Sequence, residues 1–355
     1  MVGEQEGLGA CEQVQDRRGD EKAAHAAGEK AWGRHAPNDA RLRRGIPRPP
    51  VESSGMRIDE RIAAGDEPSF SFEFFPPRTD EGERNLGRAL AELSRLKPAF
   101  VSVTYGAGGS ITEKAKTVEI VAHLKRDYGM EAMAHFTCVG ATTGELRTML
   151  DRMRDAGIEN VLALRGDPPK GETEWTATDG GLEYSRELIE LIRDEYDFAI
   201  GAACFPEVHI HAVDAESDLR YLKEKVDAGA RFLITQLFFD NRAYYDFVAR
   251  ARDIGIDVPI IPGIWPITNV AQIKRVTEMC GAKLPGTMTR EFELRADDPG
   301  AVADLGVAYA TLQAADLLAN GAPGIHIYTL NRSPATRAIL SALRLMAPWR
   351  GAVPA

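Results

Sequence analysis

Cysteine is scarce in this chain, with four in 355 residues at Cys11, Cys138, Cys204 and Cys280, and their wide spacing forms no Cys-x-x-Cys pair. That spacing argues against a zinc knuckle and a disulfide framework and fits reduced thiols in a cytoplasm. No stretch approaches the roughly 18 to 20 apolar residues of a membrane helix, and the chain does not start with the apolar core of a secretion signal. Neither the three-glycine dinucleotide fingerprint nor the P-loop lysine is found, so a nucleotide cofactor would have to be held by other means. Excess positive charge is lacking too. A formal net charge of −10 argues against nonspecific affinity for nucleic acid or an anionic membrane. His209 and His211 stand two apart with no neighbouring set to complete a metal site, so no metal is expected.

Against those absences stands an ordinary globular composition, 44% hydrophobic and 27% charged. The first 55 residues differ: rich in Gly, Ala, Arg, Glu and Pro, with almost no periodic apolar residues, they read as a disordered extension. A start misplaced ahead of Met56 gives the same composition. The acidic residues Glu4, Glu6, Glu12, Asp16, Asp20 and Glu21 argue against an organelle transit peptide. Residues 56–350 form the expected single domain.

From Ser69 onward, eight short β-rich runs alternate with longer helical patterns. The runs cover 70–75, 100–105, 131–138, 161–165, 200–205, 232–239, 259–264 and 324–330. Helical patterns cover 80–96, 112–128, 144–156, 214–228, 242–254 and 269–280, and a helix-rich insertion spans 284–320. Eight strands in about 260 residues suit a closed α/β barrel, the (β/α)8 or TIM barrel, better than an open doubly wound sheet. None of the runs carries a lysine, which argues against a Schiff-base mechanism.

Aromatics make up only 7% of the chain, yet four of the 13 phenylalanines fall within residues 70–75. Strand alternation puts Phe70, Phe72 and Phe74 on one face and Ser71 and Glu73 on the other. A lone carboxyl in such a strand is costly to ionise, and a carboxylic acid with a raised pKa can give up a proton near neutral pH. Glu73 therefore reads as a general acid. Other polar residues collect at strand ends, where barrels carry their chemistry: Thr104, His135, the Arg165, Gly166, Asp167 turn, His209, Gln236 and Arg332. Arg165 with Asp167 also reads as a simple ion pair, His135 as a hydrogen-bonded core histidine, and the glycines of 106–109 as relief of turn strain. Gln236, expected inside the sixth strand, needs a partner, which a planar heterocycle with adjacent donors and acceptors supplies.

These segments, in order, resemble the methylenetetrahydrofolate reductase family. The match rests on Ser71-Phe72-Glu73-Phe74-Phe75-Pro76-Pro77, Phe100-Val101-Ser102-Val103-Thr104-Tyr105-Gly106, Ala163-Leu164-Arg165-Gly166-Asp167 and Pro206-Glu207-Val208-His209. It continues through Lys225-Val226-Asp227-Ala228-Gly229-Ala230, Ile234-Thr235-Gln236, Ile261-Pro262-Gly263-Ile264 and Tyr328-Thr329-Leu330-Asn331-Arg332. The resemblance implies a cytoplasmic enzyme in which NADH or NADPH passes hydride to FAD, and FAD passes it to 5,10-methylenetetrahydrofolate. The 5-methyltetrahydrofolate formed would supply methyl groups for methionine synthesis, in a ping-pong sequence. By motif position, Glu73 would be the general acid that opens the folate ring, and Asp167 the carboxylate beside the flavin and pterin. Flavin contacts would be Thr104, His135, Arg165, Gly166, Asp167, Tyr184, Ala203, His209, Asp218 and Lys225. Folate would meet Glu73, Gln236, Gln272 and Arg332.

The chain departs from the family pattern at Phe205, where a tyrosine is common, and at Ile210-His211, which replaces Pro-Glu. The regulatory domain of larger members is not expected, and the oligomeric state, a homo-oligomer included, stays open. Two other readings remain open on the same residues: a pterin-binding barrel that transfers a methyl group through a cobalamin partner, and a non-enzymatic folate- or flavin-binding regulator.

Overall fold

The computed structural model describes residues 57–351 apart from 66, 106–110, 167–177, 272, 274–276 and 278–279, with the backbone alone at 111–114. The expected extension, the 106–109 glycines, Asp167 and Gln272 lie outside the described residues.

Nine parallel strands form one nearly closed barrel: β1 (Ser69–Phe74), β2 (Phe100–Val103), β3 (Ala132–Thr137), β4 (Asn160–Leu164), β5 (Ala199–Cys204), β6 (Phe232–Thr235), β7 (Ile260–Ile261), β8 (Gly263–Ile264) and β9 (Gly324–Tyr328). Their order around the sheet is β7-β6-β5-β4-β3-β2-β1-β9-β8. All eight predicted runs are strands, and the seventh is split. Pro262 has no N–H to give to a ladder, so it separates β7, paired with β6, from β8, paired with β9. Its carbonyl still accepts the His326 N–H at 3.0 Å, so the wall continues across the break. β6 stops at Thr235, which corrects one expectation: Gln236 lies just past the strand, although its N–H still donates to the Cys204 carbonyl at 2.7 Å.

The helices are α1 (Ile58–Ala64), α2 (Asp80–Leu93), α3 (Ile111–Tyr128), α4 (Thr143–Asp155), α5 (Ser185–Glu195), α6 (Ala215–Ala228), α7 (Asn241–Asp253), α8 (Gly286–Glu293), α9 (Pro299–Ala319) and α10 (Pro334–Met346). Several start on a side-chain cap: Thr79 accepts from Gly82 N–H, Thr142 and Glu145 form a capping box, and Asp214 accepts from Ser217 N–H. The sequence reading did not include α1, α5 or α10. In α1, the Ile58 N–H donates to Asn160 Oδ1 at 2.8 Å, and Asn160 Nδ2 donates to Glu131 Oε1 at 2.8 Å, so the helix is tied to the amino-terminal end of the barrel.

Every residue of β1 is buried, yet its two faces meet different surroundings. Phe70, Phe72 and Phe74 join the layer between barrel and helices with Leu86, Leu90 and Leu93 of α2. A second core fills the barrel, where Phe100, Met133, Leu162, Phe232 and Ile234 pack together. The alternation that hides the aromatics under α2 leaves Ser71 and Glu73 facing inward.

Candidate active site

Glu73 sits next to last in β1, opposite Ser102 of β2 and Tyr328 of β9 in the ladder. Its Oε2 lies 3.3 Å from His135 Nε2 and 3.4 Å from His326 Nε2, and it accepts the Ser102 hydroxyl at 3.4 Å. These groups come from β1, β2, β3 and β9, brought together by inward alternation on adjacent strands. Burial pushes the Glu73 carboxyl up, but the two imidazoles outweigh it and hold the group down at about 2. The raised pKa expected from the aromatic setting is thus corrected. The aromatics lie on the opposite face, and the carboxylate has polar partners on its own.

A second polar group surrounds the ends of β4 and β5. Arg165, just past β4, is fully buried. Lys225 reaches from α6 to donate to the Ala203 carbonyl at 3.1 Å, and Asp218 on the same helix accepts the His209 N–H at 3.1 Å. Burial, then His211, Lys225 and Arg165, drive the His209 imidazole down to about 3, so it is neutral. Val208 beside it holds φ 70°, a conformation that a β-branched residue adopts only under strain. Phe205, one of the two departures from the family pattern, packs edge-on against the His209 ring at 4.6 Å. At the other, the His211 N–H donates to His209 Nδ1 at 3.1 Å and Ile210 is exposed.

Gly166 has φ +95°, and an added Cβ would fall 2.3 Å from Val139 Cγ1, so only glycine fits. Tyr184 caps α5 and is half-buried. The loops after β3 and β4 are joined where Thr143 N–H donates to the Gly180 carbonyl at 2.9 Å. Gln236 is buried, its Oε1 accepting the Leu237 N–H at 2.9 Å, and Arg332 is exposed beyond β9.

The structure therefore brings Glu73 together with His135, and His209 with Asp218. Ser102 and His326 were missed as site residues. Both sit between β-branched neighbours, Val101 and Val103 or Ile325 and Ile327, and inward alternation of those strands was the available signal. No group of three His, Cys, Asp or Glu side chains suitable for a metal ion occurs among the described residues. No described helix is long and apolar enough to cross a membrane.

Residues 57–344 match the sequence model of the family described as methylenetetrahydrofolate reductase. The chain belongs to the methylenetetrahydrofolate reductase family. Among relatives, it is 42% identical over 274 residues to the 5,10-methylenetetrahydrofolate reductase of Escherichia coli, covering 77% of this chain and 90% of that protein. It is 37% identical over 317 residues to methylenetetrahydrofolate reductase (NADH) 1 of Arabidopsis thaliana, covering 83% of this chain and 53% of that one. The chain thus spans about half the length of the plant relative. At the level of fold alone, a Clostridium thermocellum protein, described as uncharacterized and binding two copies of 5-methyl-5,6,7,8-tetrahydrofolic acid, superposes with a TM-score of 0.56 at 15% identity. That alignment covers 81% of this chain and 98% of the other.

Proposed function

We propose that this chain reduces 5,10-methylenetetrahydrofolate to 5-methyltetrahydrofolate with NADH or NADPH as donor, by a ping-pong transfer through FAD that serves methionine synthesis. One observation carries the reading: a buried carboxylate, Glu73, held between two imidazoles at the carboxyl end of a barrel whose sequence matches this family.

The residues present fit a flavin. Thr104 Oγ1 and His209 Nε2 are buried polar atoms with no partner among the described residues, and they stand at the ends of β2 and β5. A ligand supplying donors and acceptors would satisfy both. Lys225 and Arg165 would face its phosphates, with Gly166 letting the backbone approach closely. His135, Tyr184, Ala203, Asp218 and Asp167 complete the proposed cradle. When bound, FAD supplies the hydride acceptor and donor that no side chain provides.

Glu73 performs the proton chemistry. In the free protein the imidazoles keep it ionised, while burial pulls the other way. With His135 turned to a bound ligand and water excluded, burial would weigh more heavily on Glu73, and the carboxyl would take up a proton and deliver it to the folate nitrogen as the ring opens. Asp167 would stabilise the cation that results. Gln236, Gln272 and Arg332 would hold the folate, the last through its acidic portion.

The test is anaerobic. Purified protein should be yellow, bleach with NADH or NADPH and regain colour with 5,10-methylenetetrahydrofolate. Colourless protein that fails to bind added FAD would overturn the reading. Bound flavin that never passes its electrons to folate would favour the binding regulator, and folate binding without flavin the methyl-transfer alternative.

A further inference from the structure

The barrel wall has a seam at Pro262, where the chain stops pairing with β6 through β7 and starts pairing with β9 through β8. The Leu233 N–H donates to the Pro259 carbonyl at 2.8 Å, and a parallel ladder continued from there would bring the Gly263 N–H to the Thr235 carbonyl. It goes elsewhere. The Gly263 N–H donates to the Thr235 hydroxyl at 2.9 Å, and the Thr235 carbonyl accepts the Tyr328 hydroxyl at 2.7 Å. Tyr328 is the last residue of β9, is buried, and spans the seam to reach β6. Gly263 leaves room for it: an added Cβ would fall 2.4 Å from the Thr235 carbonyl oxygen and 2.6 Å from Tyr328 Oη.

The peptide that joins Thr235 to Gln236 is therefore held on both sides. Its carbonyl takes the Tyr328 hydroxyl, and its N–H donates to the Cys204 carbonyl of β5 at 2.7 Å. Just beyond, Gln236 Oε1 accepts the Leu237 N–H at 2.9 Å, so the side-chain amide takes its bearing from the same stretch of backbone. Had β6 run on, ladder bonds to β7 would fix this peptide. The strand stops at Thr235, and the hydroxyl stands in for the missing neighbour. A tyrosine that only satisfied a stray carbonyl would act on stability alone. What ties this one to chemistry is the residue that the peptide carries.

We infer that Tyr328 is a positioning residue for Gln236: by holding the Thr235 carbonyl, its hydroxyl sets the plane of the peptide from which the amide reaches the pterin of folate. Gly263 is the residue that lets the hydroxyl through. An amide that reads the edge of a flat heterocycle must meet it in plane, so a turned peptide spoils the match although no atom of the amide is lost. Tyr328 also stands level with Glu73 in the ladder and meets the His326 ring edge-on at 5.5 Å. Tyr328→Phe keeps that ring contact and removes only the hydroxyl, and pairing it with a change at Gln236 separates the two neighbourhoods.

The inference rests on the folate reductase reading, and the experiment separates the two. Flavin-loaded wild type, Tyr328→Phe, Gln236→Ala and the double variant would be reduced with dithionite. Each would then be reoxidised by 5,10-methylenetetrahydrofolate at a series of concentrations in an anaerobic stopped-flow instrument. The half-saturating concentration should rise about tenfold in Gln236→Ala and about fivefold in Tyr328→Phe, the scale of one buried hydrogen bond. In the double variant it should stay within about twofold of Gln236→Ala, because the hydroxyl has no amide left to aim. Thermal melts follow the structural share of the bond: Tyr328→Phe should lower the melting temperature equally with and without Gln236→Ala. A wild type whose reduced flavin is not reoxidised by folate would defeat the functional reading and this inference with it. An active wild type whose two single effects multiply in the double variant, or a Tyr328→Phe protein with unchanged half-saturation, would defeat this inference alone. A Tyr328→Phe protein too unstable to hold flavin would make the hydroxyl a brace of the barrel and defeat it equally.

Discussion

Asn331 closes its side-chain amide on both polar atoms of the Phe75 backbone, accepting the N–H at 3.0 Å and donating to the carbonyl at 2.8 Å. Two residues earlier, the Thr329 hydroxyl donates to the Glu73 carbonyl at 2.6 Å. The amide thus continues the pairing of β1 with β9 beyond the point where the ladder ends. To reach, the chain turns through positive φ at Leu330 (49°) and Asn331 (55°), a conformation that asparagine tolerates better than leucine.

Removing that clamp should loosen the top of β1, where Glu73 sits. Asn331→Ala is expected to cost about 2 kcal/mol, the net worth of two hydrogen bonds in a buried site. Asn331→Asp keeps the acceptor but sets a carboxylate oxygen against the Phe75 carbonyl, so it should lose at least as much. Urea unfolding of the two variants beside wild type measures this, and equal stability of all three would show that the amide contributes nothing.

Glu73→Gln keeps the size and one acceptor of the side chain but has no acidic proton. Reduction of bound flavin by the nicotinamide should survive, and the folate half-reaction should fall at least about 100-fold. Equal loss of both steps would make Glu73 a structural residue.

His209 gives a stability signature in weak acid. Its imidazole is held from the ordinary 6.5 down to about 3 in the folded chain, so the unfolded chain takes up a proton first as pH falls. The neutral ring's contribution is whole above 6.5 and is lost steadily as pH falls from 6.5 toward 3, by up to about 1.4 kcal/mol per pH unit. His209→Asn should lose less stability than wild type between pH 7.5 and 5 in urea titrations of flavin-free protein. Parallel losses in the two would mean that His209 becomes charged without penalty.

The sequence made the barrel and the inward turn of Glu73 legible, because an apolar run of strand length and a two-residue alternation are local properties. What surrounds Glu73 is set by register. Nothing in β9 read alone places His326 beside Ser71, because the two are 255 residues apart and become neighbours only when the barrel closes. The ionisation of Glu73 was misjudged for that reason. Its strand supplied the greasy surroundings, and other strands supplied the imidazoles. The short α1 escaped notice because it has a single buried apolar residue, Ile58, and is anchored through Asn160, 102 residues away.

Glycine inside a helix ordinarily weakens it, so Gly→Ala should stabilise wherever there is space. Gly87 in α2 has nothing within 4 Å of an added Cβ, and Gly87→Ala should stabilise the protein by up to about 1 kcal/mol. Gly306 in α9 is the opposite case: its Cβ would fall 1.6 Å from the Ile267 carbonyl oxygen and 2.7 Å from the carbonyl carbon. Backbone cannot rotate out of the way as a side chain can, so either the helix lifts or the segment after β8 moves. The same gain in helix propensity is then outweighed by overpacking of about 1 to 3 kcal/mol. The segment at Ile267 leads toward Gln272, so Gly306→Ala should also weaken folate binding while sparing bleaching by the nicotinamide. Thermal melts of the two variants with opposite signs would support this close packing, and a stabilised Gly306→Ala protein would refute it.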